Sequence, residues 1–436
     1  MALVAPVDLA GLVPADLAPL HFIAVGGSGM SGIAQIYADL GLQVSGSDKA
    51  DSPTLQALRG IRTHVGHSAG QLADARTVVV SSAIAEDNPE LVEARARGLR
   101  VLHRSAALAV LMGRRVSIAV AGTHGKTTTS AMIVAGLRAA GVHTGFVVGA
   151  PIAGIGSSAE AGTPGTPFVA EADESDGSFL QLPREIVVVT NVEADHLDNW
   201  GTPQAYAAGF DRLLATAGTA VVNLADPGAA ALVERAAAAG VAVVGYGTAD
   251  AEVPLTGIAL SVPGAHNRSN ATAAVAVLQL LGIDDLSGVS AFSGTHRRFE
   301  PVGEVNGVRV FDDYAHHPTE VAATLAAARE AGGGRVIAIF QPHLFSRTRD
   351  QAEGFAESLA AADEVYLLDI YPAREQPIPG VTSALIADRL PGAEVVSAEQ
   401  LPGLIAAAAR PGDIVLTLGA GDITRLGPKI VAELPR

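Results

Sequence analysis

The chain of 436 residues carries 45 Asp and Glu against 29 Lys and Arg, a net charge of −16, and no cysteine. That acidic balance argues against binding a nucleic-acid phosphate backbone, and the missing thiols exclude disulfides, thiolate metal sites and a cysteine nucleophile. The length points to about three domains, and 49 % hydrophobic residues with 48 glycines point to α/β structure with many short turns.

No apolar run approaches the ~18 residues of a membrane span. The first residues, MALVAPVDLAGLVPADL, lack the basic start of a signal peptide. The expectation is a soluble cytoplasmic protein without membrane insertion, either monomer or homodimer.

Residues His21–Val25 predict a strand that enters Gly26-Gly27-Ser28-Gly29-Met30-Ser31-Gly32, followed by a helical pattern to Leu40. Gly27-x-Gly29-x-x-Gly32 is a GxGxxG, and Asp48 closes the next predicted strand, Gln43–Asp48. This is the dinucleotide fingerprint in its proper setting. Its physics is a diphosphate on a helix N-terminus, so NAD and any other nucleotide diphosphate both satisfy it. A further strand, Thr77–Val80, ends in Ser81-Ser82-Ala83-Ile84, small groups at a carboxyl end, where ligands of such sheets lie. Tight strand–helix packing explains Ser81 and Ser82 equally well. His64, His67 and His103 show no pattern that separates a ligand from a surface or core histidine.

The stretch Val116–Ser130, VSIAVAGTHGKTTTS, organises the rest. A short apolar run meets Gly122-Thr123-His124-Gly125-Lys126-Thr127-Thr128-Thr129, and a helical pattern follows. Backbone N–H groups of such a loop cradle phosphate oxygens. Lys126 would reach the β/γ-phosphates and the Thr127 hydroxyl would ligate Mg²⁺. The strict phosphate-loop pattern wants a glycine where Val120 stands. Only Lys49, Lys126 and Lys429 are lysines, so a lysine here is not filler.

Strand Pro167–Ala170 delivers Glu171-Ala172-Asp173-Glu174-Ser175-Asp176, and strand Ile186–Asn191 delivers Val192-Glu193-Ala194-Asp195-His196-Leu197-Asp198. Both acidic clusters fall on the side the glycine loop occupies. Oxygens of Thr127 and Glu171 suit Mg²⁺, and one imidazole from His196 suits Mg²⁺ or Mn²⁺. Further on, Gly264–Asn270 precedes a predicted helix Ala271–Leu281. Asn267 and Asn270 would either cap that helix or read an adenine edge.

After a linker-like Phe292–Glu300, strands alternate with helices: Arg309–Asp312, Val336–Phe340, Val365–Leu368, Glu394–Val396 and Ile414–Leu418. Four carry polar clusters at their carboxyl ends, around Asp313, around His343, from Asp369 to Glu375, and at Gly419–Asp422. Together they make one rim facing a crevice.

These stretches resemble the Mur ligase family over nearly the whole chain. The motifs that carry the likeness are HFIAVGGSGMSG, GTHGKTTT, EADESDGSFL, NVEADHLD, Gly264–Asn270, RRFE at 297–300, DDYAHHPTE and QPHLFSRT. The first and DDYAHHPTE point to the alanine-adding branch, and the family's shorter GTxGKT loop accommodates Val120. The resemblance implies three domains: a Rossmann-like UDP-sugar domain (1–113), a central phosphate-loop ATPase domain (114–288) and a Rossmann-like domain (289–436) that closes over ATP and brings the amino acid. The Gly- and Ser-containing join at Leu286–Phe292 is the expected hinge for that closure. It implies ATP-driven joining of L-alanine to the lactate carboxylate of UDP-N-acetylmuramate through an acyl phosphate, with Mg²⁺ or Mn²⁺.

Carried over by position, Gly27, Ser28, Gly29, Met30, Ser31, Asp48, Ser81, Ser82, Ala83 and Ile84 would hold the UDP-sugar. Gly122, Thr123, His124, Gly125, Lys126, Thr127, Thr128, Asn267, Asn270, Arg298 and Asp313 would hold ATP, with Arg298 acting as a finger in cis. Thr127, Glu171 and His196 would hold the metal, and His343 and Arg374 the alanine. Several relatives carry a carbamylated lysine beyond the equivalent of His196; here Asp211 occupies that region, and no lysine lies between Lys126 and Lys429. The rivals are a recycling ligase that attaches a tripeptide to the same sugar, an NAD-dependent oxidoreductase, and a regulatory nucleotide-binding module.

Overall fold

The computed structural model describes residues 3–255, 257–373 and 375–435. Three sheets follow one another along the chain. The first has strands β1 (Leu20–Ile23), β2 (Val44–Asp48), β3 (Arg62–Val65), β4 (Thr77–Val80) and β5 (Arg100–His103), all parallel in the order β3-β2-β1-β4-β5. The strand order reverses beside β1, so the loop leaving β1 opens at the switch point where such sheets take ligands.

The second sheet has β6 (Ser117–Ala121), β7 (Gly145–Val147), β8 (Ala159–Glu160), β9 (Phe168–Glu171), β10 (Ile186–Val189), β11 (Thr219–Asn223) and β12 (Ala242–Tyr246), ordered β12-β11-β10-β6-β9-β7-β8. All five residues of β6 are buried, as a continuous apolar run in a central parallel strand should be. Its neighbours are β9 and β10, with Val120 level with Glu171 and Ala121 level with Val189. The loops leaving all three strands therefore emerge at one height.

The third sheet has β13 (Glu300–Val305), β14 (Val308–Asp313), β15 (Val336–Phe340), β16 (Glu364–Leu367), β17 (Glu394–Val395) and β18 (Ile414–Leu418), ordered β13-β14-β18-β15-β16-β17. Apart from the antiparallel β13, the strands are parallel, and the carboxyl ends share one edge. Apolar clusters cover both faces, one around Phe340 and Phe355 and one around Ile339 and Ile430.

The chain forms two compact units, Met1–Ala259 with Ser269–Phe292, and Leu260–Arg268 with Ser293–Arg436. Within the first, one apolar core runs from Phe22 and Tyr37 of the first sheet's layer to Phe179 and Phe210 of the second's. The helix Arg104–Met112 joins them: every residue from Ser105 to Met112 is buried, as expected of a helix apolar all round. No helix among the described residues is long and apolar enough to cross a membrane.

The segment 286–292, read as a hinge from its Gly and Ser, contains the helix Ser287–Ser290 and ends at Phe292, where the first unit stops and the second resumes at Ser293. One expectation changes. The helix expected at Ala271 begins at Ala265, because Gly264 (φ +105°) makes the turn that starts it. Asn267 and Asn270 thus lie inside the helix and do not cap it.

Candidate active site

Gly125, at φ +81°, caps the helix Lys126–Ala139 and turns the chain from β6 into it. A Cβ on Gly122 would lie 2.0 Å from Thr190 Oγ1, and one on Gly125 would lie 2.6 Å from Asn270 Oδ1. Glycine is required at both places by contact as well as by backbone angle. The loop is bracketed from β10: Asn191 Oδ1 accepts the His124 N–H at 2.8 Å, and Asn191 Nδ2 donates to the His124 carbonyl at 3.0 Å. Thr123 N–H donates to the Asn191 carbonyl. With those two N–H groups committed internally, the donors left facing out are those of Gly125 and the first helical turn, Lys126, Thr127 and Thr128. Asn191 was not singled out in the sequence; its place at the end of a strand predicted beside the loop was the available signal.

Lys126 Nζ donates to the carbonyls of Gly122 (2.7 Å) and Thr123 (2.9 Å) and pairs with Glu174 at 2.8 Å. Glu174 is 1 % exposed, and burial pushes its carboxyl up to about 7, against the opposing pull of Lys126. Trp200 Nε1–H donates to the Glu174 carbonyl at 2.9 Å. The Trp200 ring packs edge-on against Phe179 and Tyr206, which fixes the floor under the acids. His196, in the left-handed region (φ 52°), lies 3.9 Å from Glu174 and 3.5 Å from Asp195.

Thr127 Oγ1 donates to Glu171 Oε2 at 2.8 Å, and the Gly149 N–H donates to the same oxygen at 2.8 Å. A Cβ on Gly149 would stand 2.7 Å from Glu171 Oε2 and 2.8 Å from Thr127 Oγ1. Glycine thus keeps open the space on which a hydroxyl and a carboxylate oxygen converge, a donor set that fits a hard divalent cation. Asp211 pairs with Arg235 at 2.7 Å.

At the first loop, Gly27 caps the helix Ser28–Asp39, placing Ser28, Gly29, Met30 and Ser31 in its first turn. Asp48 Oδ2 accepts the Gly26 N–H at 2.9 Å, so one carboxylate oxygen steadies the loop itself. The Arg104 guanidinium lies over the turn, 3.1 Å from where a Gly29 Cβ would be, and donates to Asp173 Oδ2 at 2.6 Å. Burial raises Asp173, but Arg104's charge and the Ser175 bonds hold it well below the usual carboxylate range. Ser81–Ile84 form a turn closed by Ile84 N–H to Ser81 O. From it Ser82 donates to Asp176, and His103 Nε2 lies 3.2 Å from Ser82 Oγ. The helix start at Arg104 and the turn after β4 are therefore tied to the acidic cluster of the second sheet by Arg104–Asp173 and Ser82–Asp176. Arg104 escaped the sequence reading because it belongs to no glycine or acidic motif.

In the second unit, Asp313 accepts the N–H groups of Phe299 (2.7 Å) and Ala315 (2.8 Å), and burial pushes it up to about 6. Arg298 stands 5.2 Å from the Tyr314 ring centre and 3.8 Å from Glu320. His343 stacks on Tyr371 at 5.8 Å and meets His316 edge-on at 6.1 Å. Asn267 Nδ2 donates to the Pro263 carbonyl at 2.6 Å, and in the first unit Asn270 Oδ1 accepts from Thr129 Oγ1 at 3.2 Å. Arg374 lies outside the described residues.

The sequence pattern of the Mur ligase family catalytic domain matches residues 19–116, that of the Mur ligase middle domain 120–278, and that of the glutamate ligase domain of Mur ligases 297–421. The chain is 53 % identical to the UDP-N-acetylmuramate–L-alanine ligase of Cutibacterium acnes, over 100 % of this chain and 99 % of that one. The chain belongs to the Mur ligase family. Its fold matches the UDP-N-acetylmuramate-alanine ligase of Thermotoga maritima with a TM-score of 0.78 at 28 % identity, over 95 % and 98 % of the two chains. A murein peptide ligase of Psychrobacter arcticus shares the Mur ligase fold at a TM-score of 0.68 and 24 % identity, over 95 % and 98 %.

Proposed function

We propose that this Mur ligase joins L-alanine to the lactate carboxylate of UDP-N-acetylmuramate and splits ATP to ADP and phosphate. The observation that carries the reading is Lys126 at the first turn of a glycine-loop helix, with the Thr127–Glu171 pair beside it. The full-length identity to alanine-adding relatives selects the substrates. Residues 1–113 take the UDP-sugar, 114–288 the nucleotide, and 289–436 complete the set with the amino-acid side. The reaction belongs in the cytoplasm, with the enzyme a monomer or homodimer.

The N–H groups from Gly125 to Thr128 bind the β-phosphate, and Lys126 spreads its charge over the transferring γ-phosphoryl. For this Lys126 leaves Glu174, its partner in the structure described here. Thr127, Glu171 and His196 would hold Mg²⁺ or Mn²⁺, which when bound neutralises phosphate charge. The muramyl carboxylate attacks the γ-phosphorus, ADP leaves, and the acyl phosphate gains the leaving group that a free carboxylate lacks. Alanine's amine then attacks the acyl carbon and phosphate departs. By position in the family's pattern, Asn267, Asn270, Arg298 and Asp313 serve the nucleotide, and His343 and Arg374 the alanine.

A coupled ADP-release assay tests this. ADP release that needs UDP-N-acetylmuramate, L-alanine and a divalent cation together supports the reading, and EDTA should stop it. Release driven by a tripeptide and not by alanine would assign the recycling reaction instead.

A further inference from the structure

Glu90 lies in the helix Pro89–Ala96, fully buried, with no Lys or Arg against its carboxylate among the described residues. Four donors converge on it. Oε1 receives His21 Nε2 at 3.2 Å and, with the Gln71 amide turned so that its nitrogen faces the carboxylate, that nitrogen at 2.6 Å; Oε2 receives Ser47 Oγ at 2.6 Å and lies 2.9 Å from His67 Nδ1. A carboxylate has about four acceptor sites, so every one is used. Burial raises Glu90, yet the bonds from His21, Ser47 and His67 outweigh it and hold the group below its ordinary range.

The proton count around His67 is decisive. Its Nδ1 lies 3.0 Å from Ser47 Oγ as well as 2.9 Å from Glu90. Ser47 has one hydrogen, spent on Glu90, and an ionised carboxylate has none to give. Nδ1 must therefore carry the proton, and in the neutral ring Nε2 is then a bare acceptor. His67 is 20 % exposed, two residues beyond β3, and Gly66 N–H donates to the Asp48 carbonyl at 2.7 Å. It thus stands at the carboxyl edge of the first sheet, one strand out from Asp48, toward the nucleoside end of a ligand whose diphosphate lies at the switch point. Nothing in the proposed reaction uses Glu90 or His67.

We propose that Glu90 is a positioning residue that fixes His67 as its Nδ1–H tautomer, so that Nε2 takes a proton donor from the substrate nucleoside, uracil N3–H or a ribose hydroxyl. The proposal rests on the reading that the first glycine loop binds the UDP-sugar. His21 and Ser45, bonded at 2.9 Å, complete the network from the far side and tie Glu90 to β1 and β2.

Calorimetry of the full chain with UDP, CDP and 2′-deoxy-UDP tests it. The parent should prefer UDP over CDP if the base donates, or over 2′-deoxy-UDP if the ribose does. His67→Ala should lose about tenfold of that preference, the size of one hydrogen bond, with ATP affinity unchanged. Nitrogen-15 spectra of histidine-labelled protein should report Nδ1–H for His67 in the parent and mixed tautomers in Glu90→Gln. Preferences among the three nucleotides that survive His67→Ala, or an Nε2–H tautomer in the parent, would overturn the proposal. A parent that binds none of the three would overturn the reading of the first loop, and the proposal with it.

Discussion

Two glycine loops leave the central strands of two parallel sheets in the same way, yet the side chains around them differ. At Gly26–Ser31 the loop contains no cation; a carboxylate, Asp48, ties its first N–H, and the charge above it is Arg104, borrowed from another helix. At Gly122–Thr128 a lysine sits in the loop itself, paired to a buried glutamate, with a hydroxyl and a second carboxylate alongside. A helix N-terminus with small residues suffices to seat a diphosphate that stays whole. Breaking a phosphoanhydride needs a mobile charge and a metal-competent oxygen pair where charge develops. Under the proposed function, the same local fold would hold a handle in one place and a reaction centre in the other.

The largest break in this comparison should come from Lys126→Ala. Losing one phosphoryl-clamping cation should lower kcat by about 10²–10³-fold, while calorimetric affinity for UDP-N-acetylmuramate stays within twofold of the parent, roughly the scatter expected for a distant site. An equal loss at both substrates would mean that the loops do not divide the work.

A second effect, in stability, belongs to the second loop alone. Glu174 is raised from 4.5 to about 7 by burial, so near neutrality the folded state binds a proton that the unfolded state has released. Stability should then be highest below pH 4.5 for this group and fall as pH rises through 7. Denaturant midpoints of nucleotide-free protein across pH 5–8 should show this slope, and Glu174→Gln should flatten it. Identical slopes in parent and Glu174→Gln would sink the assignment.

The smallest effect sharpens the first loop. Arg104→Ala should raise KM for UDP-N-acetylmuramate about tenfold, the scale of one charge-assisted hydrogen bond, and leave KM for ATP nearly unchanged. Steady-state kinetics with each substrate varied in turn reads this directly. A rise in KM for ATP alone would place Arg104 with the other loop.

Much of this was legible in the amino-acid order because it is local. A run such as SIAVA, closed by glycines and a lysine, specifies strand, turn and helix start within a dozen residues. The acids at 171–176 and 191–198 follow strands in the same register-free way. The choice of position within those acids was not legible: Glu171 meets Thr127, whereas Glu174 meets Lys126, because the turn after β9 directs each side chain differently. The helix containing Asn267 and Asn270 started six residues early, since a glycine at φ +105° supplies a turn that the polar composition hides.

Sequence by itself determined that the chain holds two strand–glycine loop–helix turns and three successive α/β sheets, since both depend on short-range backbone preference and apolar periodicity. Only the tertiary structure decided which distant groups complete them. Arg104 reaches across 69 positions to Asp173, Asn191 reaches across 67 to His124, and Glu90 reaches across 69 to His21 and 23 to His67. Such contacts carry no local signature, because a side chain's partner is set by where the sheets stack and not by the residues beside it.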